Sequence, residues 1–275
     1  MKAPAFDYVR PRSLAEAVEQ LAGSGVEARV IAGGQSLLAM MNLRVASPSL
    51  LIDIARLPEL SAVTDDADAV TFGACVTHAA IEDGRVADPS RGLMPRAATS
   101  LAYRAIRTRG TIGGSLALAD PAAEWPAVLA ALDAEVMLYG PRGRRSHKCV
   151  EFVTGIFETA LAADEIVESV RVPRLSAGAR WGYLKLCRKS GEFASALAVV
   201  VADRGRGHRR VVVGAANGPP LVLDNASGLV SEAGGREIGH AVAADLDRAA
   251  DRHFDEFQRN LHIVAASRAV RQALA

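Results

Sequence analysis

Apolar positions along this chain of 275 residues change their spacing repeatedly, and each change marks an element. Residues 14–21 carry them at helical period behind Ser13, a good N-cap, with Glu16 at the third helical position. That is a capping box opening an amphipathic helix, which Gly23 and Gly25 close. Short apolar runs at 28–32, 50–54 and 70–74 read as strands. Residues 36–41 begin a helix, Thr77 caps another over 78–83, and a third covers 92–100. Pro121 suits the first turn of a helix running to 131. Strands follow at 134–139 and 165–172, the first ending in a hairpin-type turn at 140–144 and the second at Pro173. Composition shifts at 174–178, the expected domain boundary. Beyond it, strands at 182–187, 194–202 and 209–215 form a meander with a turn at 203–208. Helical patterning returns over 241–250 and from 251 to the end, where Phe254, Phe257, Leu261, Val264 and Ala265 share a face. Helices mixed with antiparallel-like later strands make the class α+β.

Two glycine-rich turns carry the candidate chemistry. The first is Ala32-Gly33-Gly34-Gln35-Ser36 and the second is Thr111-Ile112-Gly113-Gly114-Ser115. Paired glycines let the backbone bend tightly and bring bare N–H groups close to a ligand. Clusters of such groups form concave sites for phosphate oxygens. Two of them, each with a small hydroxyl residue, suggest a pyrophosphate held from both sides. Neutral N–H donors satisfy such a dianion without a large desolvation cost.

Composition narrows the partners. Half the residues are hydrophobic but only 5% are aromatic, so the core packs many small side chains. A formal net charge of +1 calls for neither nucleic acid nor an anionic membrane. No apolar stretch is long enough to insert in a bilayer. Residues 1–6 lack the apolar run of a secretion signal. Cys75, Cys149 and Cys187 are widely spaced and form no C-x-x-C pair. They read as free or buried thiols in a reducing cytoplasm, with no metal or iron–sulfur site in this chain.

Residues 32–44, from Ala32 through the first glycine turn to Arg44, resemble the first FAD-binding motif of a known flavoprotein family. Residues 107–124 resemble the second, and 182–186 with 188–194 resemble its later signatures. The family is the FAD-binding medium subunit of molybdenum hydroxylases, of the carbon monoxide dehydrogenase and xanthine dehydrogenase type. The resemblance implies a vanillyl-alcohol-oxidase-like FAD-binding domain of two α+β subdomains over residues 1–177. It also implies a C-terminal domain over 178–275, with a three-stranded antiparallel sheet and a helical bundle. Partner subunits would be a large one holding a molybdenum cofactor and a small one holding [2Fe–2S] clusters, assembled as a dimer of heterotrimers. Electrons would pass from those clusters through FAD to an external acceptor, and hydroxylation would occur elsewhere. A stand-alone FAD oxidoreductase acting on a small molecule is the competing reading.

By the same resemblance, the backbones of Ala32, Gly33, Gly34, Gln35 and Ser36, and of Thr111, Gly113, Gly114 and Ser115, cradle the FAD pyrophosphate. Leu37 and Leu101 fall where the family packs apolar side chains near the cofactor, or are ordinary core. Glu124 stands where relatives bond the adenosine end, since a carboxylate accepts from two hydroxyls. Asp120 is a second ligand candidate or a plain helix cap. Lys185 falls at the isoalloxazine, where a cation favours the reduced ring, or is a solvated strand lysine. Ile166 and Val167 offer backbone to the flavin or belong to the core. The chain departs from the family at residues 100–108, before the second turn. Residues 23–28 fit G-x-G-x-x-A but follow a helix and precede a strand, the wrong context for a Rossmann turn. The basic run 205–210 reads as a hairpin tip, and His78, at a helix start, as a capping or surface residue. No G-x-S-x-G elbow or metal-binding histidine spacing occurs.

Overall fold

The computed structural model describes residues 2–24, 27–230, 235–249 and 252–275. Gly25 and the start of the last predicted helix at Asp251 lie outside these residues. Strands β1 (Asp7–Val9), β2 (Ala28–Ile31) and β3 (Leu50–Asp53) form a parallel sheet with β3 in the middle. Parallel neighbours need crossovers. Helix Leu14–Gly23 supplies the first and helix Leu37–Asn42 the second. Leu14, Ala17, Val18 and Leu21 of the first helix pack with Ala28 and Ile52 of the sheet. Ser13 caps this helix by accepting the Glu16 N–H, but the Glu16 carboxylate takes the Arg12 N–H instead of closing the predicted box.

Strands β4 (Val63–Asp65), β5 (Ala69–Gly73), β6 (Glu135–Gly140), β7 (Gly143–Lys148) and β10 (Ile166–Pro173) build an antiparallel sheet in the order β4-β5-β10-β6-β7. A small hairpin, β8 (Val153–Gly155) with β9 (Glu158–Thr159), precedes β10. Helices Leu93–Ser100, Ile112–Leu118 and Glu124–Ala131 join this sheet in the main core, around Phe72, Leu93, Met94, Leu116 and Trp125. Every residue of Glu124–Ala131 is buried, so it shows no polar face.

Strands β11 (Arg180–Leu186), β12 (Ala196–Asp203), β13 (His208–Gly214) and β14 (Leu221–Val222) form the third large sheet. Its three long strands are the predicted meander. The two-residue β14, paired to β13, makes the sheet four-stranded rather than three-stranded, because Leu221 and Val222 are too short a run to read as a strand. Both faces of β12 are covered. Leu197, Val199 and Val201 join the main core, while Ala196, Ala198 and Val200 meet a second core with Val242 and Leu246 of helix Gly235–Arg248 and Ala265 and Ala269 of helix Glu256–Leu274. That double burial explains the unbroken apolar run of this strand.

Two further expectations are corrected. The helix predicted from Pro121 begins at Glu124. The Asp120 carboxylate accepts the Ala122 N–H and its carbonyl the Ala123 N–H, holding Pro121 in a turn ahead of the helix. The second glycine motif is also no free turn, since Ile112–Leu118 is helical. Among the described residues no helix is long and apolar enough to cross a membrane.

Candidate functional site

The first glycine motif lies at the carboxyl end of β2, where the chain turns before helix Leu37–Asn42. Gly34 takes φ +71, a left-handed conformation that suits glycine. Gly33 is glycine for another reason. A Cβ there would stand 2.0 Å from the Arg109 carbonyl oxygen and 2.9 Å from the Gly110 Cα. The first motif therefore rests directly on the backbone that leads into the second. Among the described residues no hydrogen bond engages the N–H of Gly33, Gly34, Gln35 or Ser36, four consecutive donors. The Gln35 side-chain amide donates to the Gly33 carbonyl at 3.0 Å and so braces the turn.

The second motif is built differently. Thr111 is the N-cap, and its Oγ1 accepts the Gly114 N–H at 3.1 Å. The N–H groups of Ile112, Gly113 and Ser115 donate to the carbonyls of Val76, Ala74 and Thr111. Of the amides expected to cradle phosphate here, only that of Thr111 has no partner among the described residues. The two glycines also differ. A Cβ on Gly113 would fall 2.4 Å from the Ala74 Cβ, so this glycine serves close packing. Gly114 is exposed, and a Cβ there would crowd only the Thr111 hydroxyl.

Glu124 and Lys185 were expected at opposite ends of an extended FAD, yet they are bonded to each other. Lys185 Nζ donates to Glu124 Oε1 at 2.6 Å and to the Ser100 carbonyl at 3.0 Å. Their side chains are only 6% and 4% exposed, which also corrects the reading of Lys185 as a solvated strand residue. Burial pushes the Glu124 carboxyl up, Lys185 opposes it, and nearby Asp120 adds to the rise. The Ser100 hydroxyl shares a 2.7 Å hydrogen bond with the Tyr183 hydroxyl. One polar cluster therefore joins helices Leu93–Ser100 and Glu124–Ala131 to β11. Leu101 and Val167 lie in the main core, Ile166 in the core of the parallel sheet, and half-buried Leu37 beside Ile31 and Met41. The side chains of Leu101, Ile166 and Val167 are buried in these cores, while that of Leu37 stays partly open beside the first motif.

His78 is the residue that sequence reasoning misplaced. Far from the surface, it is 7% exposed and belongs to the second motif's support. Its N–H donates to the Gly110 carbonyl at 2.9 Å, and its Nδ1 accepts the Trp125 indole N–H at 3.0 Å. A Cβ on Gly110 would stand 2.8 Å from its Cδ2 and Nε2. Burial, with the Arg107 guanidinium, lowers its pKa to about 4. No spacing in the sequence links His78 to Gly110 or Trp125. The contacts arise only when the segments fold together. Among the described residues no group of three His, Cys, Asp or Glu side chains could hold a metal ion.

Residues 4–175 match the family model described as the FAD binding domain in molybdopterin dehydrogenase. The chain is 40% identical over 221 residues to the nicotine 6-hydroxylase medium subunit of Paenarthrobacter nicotinovorans, covering 79% of this chain and 77% of that one. It is 36% identical over 247 residues to the carbon monoxide dehydrogenase medium chain of Hydrogenophaga pseudoflava, covering 90% and 86%. A solved structure of carbon monoxide dehydrogenase from Hydrogenophaga pseudoflava, lacking the Mo-pyranopterin moiety of its molybdenum cofactor, superposes with a TM-score of 0.90 at 33% identity, covering 100% and 99%. The chain belongs to the family of FAD-binding domains of molybdopterin dehydrogenases. Its relatives are the medium, FAD-binding subunits of multi-subunit oxidoreductases.

Proposed function

We propose that this chain holds one FAD across the two glycine motifs and passes electrons from a partner's [2Fe–2S] clusters to an external acceptor. The run of four unused amide donors at Gly33–Ser36, pressed against the segment that leads into Thr111, carries the reading. A diphosphate needs several donors, and a run of unengaged amides offers them without bringing a counter-charge. The hydroxyls of Ser36 and Ser115 make no hydrogen bond among the described residues and can add to the grip. Gly113 and Gly114 contribute shape rather than donors.

Lys185 and Glu124 serve one end of the cofactor, the isoalloxazine. The isoalloxazine is favoured over the adenosine end first read for Glu124, because its Oε1 is bonded to Lys185. Lys185 uses two of its three hydrogens within the chain, leaving one for a flavin carbonyl. Among the described residues the second Asp120 carboxylate oxygen has no hydrogen bond, and it can meet a hydroxyl of the cofactor. When bound, FAD supplies the ability to accept electrons singly and release them as a pair. The chain's own residues bind it, orient it and set the charge beside it.

The domain division is placed at residue 177. The family match ends at 175, and the short link from β10 to β11 supports that position. The Lys185–Glu124 pair then bridges the two domains, so the flavin end lies between them. A large molybdenum-cofactor subunit and a small [2Fe–2S] subunit are the partners, in a dimer of heterotrimers. Relatives whose names carry nicotine and carbon monoxide share this subunit type, which favours a relay over a stand-alone enzyme. Three free thiols, two of them buried, suit a cytoplasmic setting. Titrating the cofactor-stripped chain with FAD tests the reading. One FAD per chain, with displacement by ADP, is expected; no saturable binding would overturn it.

A further inference from the structure

His78 is held in one tautomer by its surroundings. The Trp125 indole nitrogen can only donate, so the 3.0 Å bond makes the His78 Nδ1 an acceptor. In the neutral ring the proton must then sit on Nε2. That Nε2–H has no acceptor among the described residues, although the side chain is more than nine-tenths buried. Unlike the ring nitrogens of His262, which are enclosed and unpaired, the His78 Nε2 is not fully enclosed, so its N–H is an unused donor open to an incoming acceptor, and its lack of a protein partner calls for an explanation.

The position of the ring supplies one. Its Cδ2–Nε2 edge is the edge turned toward Gly110, where a Cβ would stand 2.8 Å from both atoms. Gly110 is the residue whose Cα lies 2.9 Å from the place a Gly33 Cβ would take, and it precedes Thr111, whose N–H is unused. The free donors of the first motif, the free amide of Thr111 and the free imidazole N–H therefore border one backbone junction. Gly110 has no left-handed φ to explain its identity, and a side chain there would collide with the imidazole.

We propose that the His78 Nε2–H is a fixed, uncharged donor to the diphosphate bound at the two glycine motifs. This rests on the reading that FAD binds there. It adds a side chain to a grip otherwise made of backbone, and it compensates for the second motif, whose own amides are consumed by packing and by the helix cap. Because the ring is held neutral, it brings a hydrogen bond without a proton to lose.

The test uses the full cofactor-stripped chain, with FAD, ADP and riboflavin as probes. His78→Phe keeps the ring volume and removes the donor, whereas His78→Gln keeps an acceptor for Trp125 and an N–H. The proposal expects His78→Phe to weaken FAD and ADP about tenfold or more. Riboflavin, which has no diphosphate, should change less than about twofold, and His78→Gln should recover most of the loss. If His78→Phe fails to fold, histidine labelled with nitrogen-15 in the wild-type chain gives the same answer. ADP should shift the protonated ring nitrogen of His78, and riboflavin should not. Unchanged ADP affinity in a folded His78→Phe variant, or an unmoved nitrogen signal, overturns the proposal. If the wild-type chain binds neither FAD nor ADP, the FAD reading itself has failed, and the two failures are distinct.

Discussion

Lys185 and Glu124 form a contact that must be kept whole. Each charge left water to reach a site where the side chains are almost fully covered, and each is compensated chiefly by the other, with the Ser100 carbonyl also accepting from Lys185. Lys185→Met leaves a buried carboxylate uncompensated and should cost roughly 3–5 kcal/mol of stability. The double variant Lys185→Met with Glu124→Leu should recover much of that loss. Denaturant unfolding of both variants decides the point, and a single-variant loss below about 1 kcal/mol would mean the pair is not buried as described. The glycines give a second residue-scale contrast. Gly113→Ala drives a methyl into Ala74 and should cost about 1–3 kcal/mol by overpacking. Gly114→Ala crowds only the Thr111 hydroxyl that caps the helix and should cost no more than about 1 kcal/mol. Equal melting of the two would contradict the packing assigned here. Read from the sequence, these glycines looked equivalent, because composition cannot tell a glycine that admits a ligand from one that admits a neighbouring strand.

Helix Glu256–Leu274 shows what an element adds. His262 is buried on it, edge-on to Phe254 at 5.1 Å, and near the Ala215 carbonyl without a hydrogen bond of normal geometry. Burial lowers its pKa to about 4, as it does for His78. Between pH 6.5 and 4 the unfolded chain takes up protons at these rings that the folded chain refuses. Stability is therefore full above pH 6.5 and falls as pH drops toward 4, by as much as about 3 kcal/mol for each ring. His262→Leu should flatten the fall in melting temperature over that range, and a slope identical to wild type would show that His262 is protonated in the fold. Elements with a strong period were legible: helix Leu14–Gly23, strands β2, β3, β5 and the long antiparallel meander all lie close to where the apolar pattern put them. Strands β1 and β4, at three residues each, and the helix Ile112–Leu118 carry too few periodic positions to announce themselves. Helix Glu124–Ala131 starts later than the pattern suggested, because the proline that normally opens a helix here sits inside an Asx turn closed by the Ala122 N–H.

Over the whole molecule, the candidate residues are drawn from three sheets. The first motif comes from the carboxyl edge of a parallel sheet, the second from a helix packed on an antiparallel one, and Lys185 from β11 of a third. The two motifs stood out in the sequence because glycine pairs with hydroxyl residues have a local meaning, but the engagement of the second motif's amides by packing and by the helix cap did not. Their contact through Gly33 and Arg109, the meeting of Glu124 with Lys185 and the burial of His78 were not, since each joins segments distant in sequence. The fold also bears on where specificity lies. If the chain is a relay, the flavin of the isolated loaded chain should be reduced by dithionite but not by the hydroxylation substrate that reduces the flavin of the intact assembly. Substrate bleaching of the isolated chain would instead make it an enzyme in its own right.

In the proposed function, the contact between the two glycine motifs makes the diphosphate site. Gly33→Ala tests it most directly, because its methyl would have to occupy the position now 2.0 Å from the Arg109 carbonyl oxygen and so part the motifs. Fluorescence titration of the stripped variant with FAD, beside a circular dichroism melt, is the measurement. The account predicts a folded chain whose FAD affinity has fallen by at least about a hundredfold. A folded Gly33→Ala chain that still takes up one FAD with wild-type affinity would contradict it.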